Sequence, residues 1–297
     1  MKTFFAMLKR NIKVFFKDKA LFFTSLITPV ILLVLYATFL ARVYRESFVQ
    51  NVPKELLNNK LVNGMVGGEL FSSLLAVCCV TVAFCSNMLM VQDKVNGVKK
   101  DFVITPIKKS TLALSYYFGS LVSTLIISLV AAGASFVYIA ISGWYLSVGD
   151  VFLILLDVFL LTLFGTVLSS IINVFLSSNG QVSAVGTIVS AGYGFVCGAY
   201  MPLSSFGTTL RNILGFLPGT YGTSLIRNHA LNGVYREMAK TGYPADVIES
   251  IKDSVDCNLY FFGNKVSIGA MYGILIGTIV VLIGAYVLIN VFRKKKI

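Results

Sequence analysis

Long apolar runs recur along this chain, parted by short polar or charged stretches. A bilayer core about 30 Å thick takes roughly 20 helical residues. Runs at about residues 20–40, 64–90, 112–142, 151–176, 182–200 and 267–292 fit that length, so six transmembrane helices are expected. Each run is continuous, whereas barrel strands would alternate over about ten residues. The third and fourth runs are joined only by "GWYLSVGD", the fourth and fifth only by "SSNGQ". Connections this tight make those helices antiparallel neighbours.

Before the first run, residues 3–17 show a different period. Phe4, Phe5, Leu8, Ile12, Phe15 and Phe16 fall within about 120° of arc at helical spacing. Lys2, Lys9, Arg10, Lys13 and Lys17 occupy the neighbouring arc. That separation predicts a helix over residues 1–19 lying in the membrane interface, rings toward acyl chains and ammonium groups among headgroups. Two further segments interrupt the apolar pattern. Residues 91–110, "VQDKVNGVKKDFVITPIKKS", pack five lysines and two aspartates between two spans. Residues 201–265 open on "MPLSSFGTTLRNILGFLPGTYGTSLIRNHALNG", too interrupted for a span and too apolar for a plain loop. A pair of short re-entrant helices fits, provided protein surrounds the broken backbone. Residues 234–264 are polar, with helical spacing around "ADVIESIKDSV", and are expected outside the bilayer as a small amphipathic cap. The chain is read as one transmembrane domain over residues 1–297.

Composition agrees with the pattern. The 297 residues are 56% hydrophobic and 13% charged, with mean hydropathy +0.81; soluble domains carry about 25% charged residues. The net charge of +12 does not signal nucleic acid, because the basic residues flank apolar runs and no nucleic-acid module is present. With the amino terminus inside, the leader, the 91–110 insert and "RKKK" at 293–296 hold fifteen basic residues and only Asp18, Asp93 and Asp101 as acids. The outer segments spread ten basic residues over longer loops, among six or more acids. The positive-inside rule therefore expects both termini and the insert in the cytoplasm. The leader is long and no A-x-A site follows the first run, so a cleaved signal peptide is not expected.

Several chemistries have no residues to carry them. There is no G-x-x-x-x-G-K-[ST], so no P-loop for nucleotide phosphates, and neither G-x-S-x-G nor H-E-x-x-H occurs. Cys78, Cys79, Cys85 and Cys197 lie in apolar runs, Cys257 alone in a polar segment, and no C-x-x-C suggests a metal or disulfide framework. The one histidine, His229, has no carboxylate at ligand spacing and reads as a polar residue near the outer surface. No metal, and no cofactor of this chain's own, is expected. Two acids, Glu69 and Asp157, fall inside or near spans, where a carboxylate is costly. Both are expected in the outer part of their helices, within reach of water. Asp157 is a candidate for lining a pathway or pairing across an interface; otherwise it is hydrogen-bonded or snorkelled.

The order of these elements resembles an ATP-binding-cassette exporter permease of the type-2 class. Two stretches carry the likeness. In "QDKVNGVKKDFVITP", Asp93, Gly97, Lys99, Lys100, Thr105 and Pro106 follow the family outline of an acidic-basic cluster, a glycine, basic residues and a Thr-Pro. In the outer segment, Pro202, Leu217, Pro218, Tyr221 and Arg227 fill the family's places. Residues 234–264 look like an extended variant of the family's outer loop, and Val95 stands where a second acid is often found. The resemblance implies a separate ATP-binding-cassette subunit, holding ATP and magnesium, docked on the cytoplasmic face of a bacterial cytoplasmic membrane. It implies a second permease chain, identical or different, around one pathway, with membrane lipids surrounding both. The insert, including Lys94, would be the coupling element. Its mixed charges suit a wet protein interface, Gly97 allows a bend or close backbone approach, and Pro106 ends the element. An amphipathic small molecule or peptide is the expected cargo. The alternatives are a lipid-linked polysaccharide or teichoic acid, and a secondary transporter or channel independent of ATP.

Overall fold

The computed structural model describes residues 2–51, 58–105 and 107–292. The chain is almost wholly helical. Helix α1 (Lys2–Lys17) leads into α2 (Lys19–Leu35), a π-helical turn (Tyr36–Leu40) and α3 (Ala41–Asn51). Then come α4 (Asn59–Ser86), two short helices α5 (Met88–Val95) and α6 (Val98–Ile104), α7 (Lys109–Ser142), α8 (Val148–Phe175) and α9 (Asn179–Val196). A 3-10 turn (Leu203–Ser205), α10 (Thr208–Leu214), α11 (Pro218–Lys240) and α12 (Ala245–Ser254) precede a two-stranded hairpin, β1 (Leu259–Phe261) and β2 (Asn264–Val266). Helix α13 (Ile268–Phe292) closes the described chain.

Among the described residues five helical stretches are long and apolar enough to cross a membrane: Lys19–Glu46, Asn59–Val95, Lys109–Ser142, Val148–Phe175 and Ile268–Phe292. The expected fifth span differs. Helix α9 has 18 residues, about 27 Å at 1.5 Å per residue, and Asn179, Gln181 and four glycines dilute its apolar character. The chain turns away just beyond it, with Gly198 at φ +76°.

Helix α4 is the axis of the fold, with 25 of its 28 residues buried. Helices α2, α7, α8, α9 and α11 surround it. A helix enclosed on every side needs small residues wherever a neighbour comes close, and α4 supplies Gly64, Gly67, Gly68, Ser72, Ser73, Ala76, Cys79, Ala83 and Ser86. Hydroxyls stitch the seams: Ser86 Oγ lies 2.7 Å from Ser120 Oγ and 3.0 Å from Thr124 Oγ1 on α7. At Asn87 the axis steps into α5, and the Asn87 amide donates to Ser169 and Ser170 on α8.

Helix α1 packs more closely on protein than its amphipathic pattern predicts. Its buried line is Met7, Asn11 and Phe15. Asn11 Nδ2 donates to the Ser115 carbonyl of α7 at 3.1 Å, while Phe5 stays exposed. Residues 201–265 also differ from the expected pair of short helices. Only α10 is short; α11 runs for 23 residues and carries the chain into the α12 cap. The hairpin after α12 has no counterpart in the sequence reading.

Candidate functional site

At one end of the bundle lies the insert. Gly97 (φ +81°) separates α5 from α6 in a left-handed conformation that glycine adopts without strain. Asp93 faces inward: its carboxylate accepts from Arg10 of α1 through both terminal nitrogens, and from the Tyr116 hydroxyl of α7 at 2.6 Å. The Arg10 guanidinium also lies over the Phe102 ring, 5.6 Å from its centroid. Lys94 donates to the Val174 and Leu176 carbonyls where α8 ends, a position that favours a cation. Residues 93 and 94 thus bind the insert to α1, α7 and α8. Lys100, Asp101, Ile104 and Thr105 are exposed, Ile104 by 84%, and Lys99 is half-buried. Thr105 donates to the Phe102 carbonyl at 2.6 Å and takes an extended backbone at the end of α6. Pro106 lies outside the described residues.

At the opposite end sits a buried charge cluster. Arg227 of α11 is wholly enclosed. Its Nη1 donates to the Val255 carbonyl at 2.9 Å; its Nη2 donates to the Gly198 carbonyl at 2.8 Å and to Ser73 Oγ at 3.2 Å. Glu69 Oε2 approaches Nε to 3.1 Å, and Asp256 Oδ2 approaches Nη1 to 3.8 Å. The Glu69 contact is an ion pair without hydrogen-bond alignment. Asp256, at φ +57°, also accepts from the backbone N–H groups of Leu203 and Ser204. Burial pushes the Asp256 carboxyl above its ordinary value, and Arg227 pulls against that. One guanidinium therefore ties α4, the turn after α9 and the loop after α12 to α11.

The other positions singled out in residues 201–265 lie on the 3-10 turn and at the start of α11. Pro202 caps the 3-10 turn whose N–H groups bind Asp256. Leu217 caps α11 and Pro218 is its first residue, where a missing N–H costs nothing. Tyr221 is buried and donates to the Gly215 carbonyl.

Two expectations about acids are corrected. Glu69 and Asp157 are both sealed from solvent rather than within its reach. Asp157 of α8 also has the partner that sequence spacing does not reveal: His229 Nδ1 lies 2.6 Å from Oδ2, and the Tyr272 hydroxyl of α13 donates to Oδ1 at 2.6 Å. Helix α11 packs against α4, α8 and α13 together, so Arg227 and His229, two positions apart, turn to different neighbours. The sequence does single out Glu69 and Asp157 as acids in apolar runs. It carries no mark that joins Asp256 to Arg227, because they approach only through the fold of the cap. Cys257 is buried in that cap beside Tyr235, and burial pushes its thiol up to about 12. It is not placed to cross-link two chains.

Among the described residues no group of three or more histidine, cysteine or acidic side chains could hold a metal ion. No curated protein and no solved structure matches the chain. Residues 2–230 match the family described as ABC-2 type transporter. That match takes in the insert, α4 and most of α11 with Arg227, and by it the chain belongs to the ABC-2 type transporter family of membrane permeases.

Proposed function

We propose that the chain is the membrane subunit of an ATP-driven exporter. A separate ATP-binding-cassette subunit seats α5 and α6 at the cytoplasmic face and carries the ATP and magnesium chemistry. A second permease copy, identical or related, completes the pathway. The cargo is an amphipathic small molecule or peptide, leaving at the end of the bundle that holds Arg227. The observation that carries this reading is the continuity of α4 and α5. The Asn59–Val95 stretch spans the core, meets Arg227 through Glu69 and Ser73 near one end, and carries Asp93 and Lys94 in the insert at the other. A push on the insert moves a rod attached to the opposite end, which is how nucleotide-driven closure would shift the balance between closed and open pathways.

Two kinds of variant separate docking from bracing. Lys100→Glu is expected to lower substrate-stimulated ATP hydrolysis of the reconstituted complex about tenfold while leaving thermal stability unchanged, because this group is exposed. Asp93→Ala is expected to lower both, since Arg10 and Tyr116 lose their acceptor. Unchanged hydrolysis in the Lys100→Glu variant sinks the docking role. For sidedness, a cysteine introduced by Lys100→Cys should react with an impermeant thiol reagent only from the cytoplasmic side. Labelling from outside overturns the orientation.

A further inference from the structure

Beside the Arg227 cluster lies a cavity of about 140 Å³, enclosed by α10, the α10–α11 turn, the end of α12 and the hairpin. Arg211, Thr220, Tyr221, Asp253, Asp256 and Tyr260 are among its walls. The volume is close to that of an engineered cavity of about 150 Å³ that holds one benzene molecule, so a molecule of about six non-hydrogen atoms fits. The walls differ from such an apolar void because they carry formal charges of both signs.

The accounting of those charges identifies what is missing. Asp256 is engaged by two backbone N–H groups and by Arg227. Asp253 accepts from Asn258 Nδ2 at 2.6 Å and from the Tyr260 hydroxyl at 3.1 Å. Tyr221 has spent its proton on the Gly215 carbonyl, and the Thr220 hydroxyl donates to the Leu214 carbonyl at 3.0 Å. Arg211 differs from the other walls: its Nε is buried and has no hydrogen-bond partner among the described residues, and its charge acts on the Asp256 carboxylate only through space. A buried donor left unmade is costly, and a guanidinium matches a carboxylate in two parallel hydrogen bonds. The carboxylates of Asp253 and Asp256 disfavour a bare anion and favour one that carries an N–H donor close by.

We propose that this cavity is a binding site for a carboxylate bearing an N–H donor on the adjacent carbon, as in a free α-amino acid or the carboxy-terminal residue of a peptide. Arg211 holds the carboxylate, and Asp253 and Asp256 face the N–H group. The site does not depend on ATP or on the exporter reading, so it is tested by binding alone. Alanine, N-acetylalanine and alaninamide are titrated calorimetrically into the full-length chain in lipid nanodiscs, and into its Arg211→Gln variant. Arg211→Gln keeps size and polarity, and a matching thermal unfolding curve shows that it folds. Saturable binding of alanine or N-acetylalanine, weakened about tenfold or more by Arg211→Gln and absent for alaninamide, supports the site. Binding of alanine alone identifies a free amino acid as the source; binding of N-acetylalanine alone, or of both, admits a peptide end. Binding of alaninamide as well as alanine, binding indifferent to Arg211→Gln, or no saturable binding of any of the three overturns it.

Discussion

Arg227→Met is expected to lower stability by about 3–5 kcal/mol, the usual cost of removing one partner from a buried ion pair. Methionine fills much of the volume but neutralises neither Glu69 nor Asp256, which then face each other's charge in a sealed site. It also strands the Val255 and Gly198 carbonyls, which accept from the guanidinium. Arg227→Lys should recover little. An ammonium cannot reach α4, the post-α9 turn and the cap together as a planar fork does. The measurement is thermal unfolding in lipid nanodiscs, with limited proteolysis of residues 241–266 as a local readout. Adding Glu69→Gln and Asp256→Asn to Arg227→Met should restore part of the loss, because an all-neutral replacement of buried charge can be well tolerated. Wild-type stability for Arg227→Met alone would show that the cluster does not hold the cap.

Gly233→Ala should be the more damaging of two otherwise similar substitutions. In a helix interior, alanine is favoured over glycine by about 1 kcal/mol, so propensity alone predicts a gain for this position in α11. Space decides otherwise. A Cβ at Gly233 would stand 2.0 Å from the Tyr145 carbonyl oxygen and 2.5 Å from its carbon. Those atoms are backbone and cannot swing aside. Relief requires the α7–α8 connection to lift from α11, and that connection is held by neighbouring contacts. Ser147 and Asp150 form a capping box at the start of α8, and Asp150 pairs with Arg236 and Asn232 of α11. Overpacking of this kind costs about 1–3 kcal/mol. Gly133→Ala is the control, since nothing lies within 4 Å of its added Cβ; it should be neutral or stabilising. Equal unfolding temperatures for the two variants would refute the close approach.

The insert shows how far local patterning reaches. Its charges, Gly97 and the Thr105–Pro106 ending make a short bent element readable from composition, and α5 and α6 with the left-handed Gly97 agree with that. Which charges face inward is not readable. Asp93 and Asp101 are both aspartates of this short insert, yet one is buried on Arg10 and Tyr116 and the other is exposed. The same limit applies to α11. Prolines and glycines mark where residues 201–265 break, but helix length beyond Pro218 depends on packing of α11 against α4, α8 and α13.

Local sequence pattern is enough for the membrane-spanning, helical character of the chain, the amphipathic leader helix, the charged insert and the acids that stand out in apolar runs. Each is a local property: a run is long enough or too short, a face is apolar or charged, a turn residue is present or absent. The tertiary structure decided what those residues do to one another. It joined Glu69, Asp256 and Arg227 across three separate segments, set His229 and Tyr272 on Asp157, and left Arg211 beside a cavity, its Nε without a hydrogen-bond partner among the described residues. The physical reason is that a buried polar group must find its partner wherever helix packing brings one, and that meeting place carries no trace in sequence spacing.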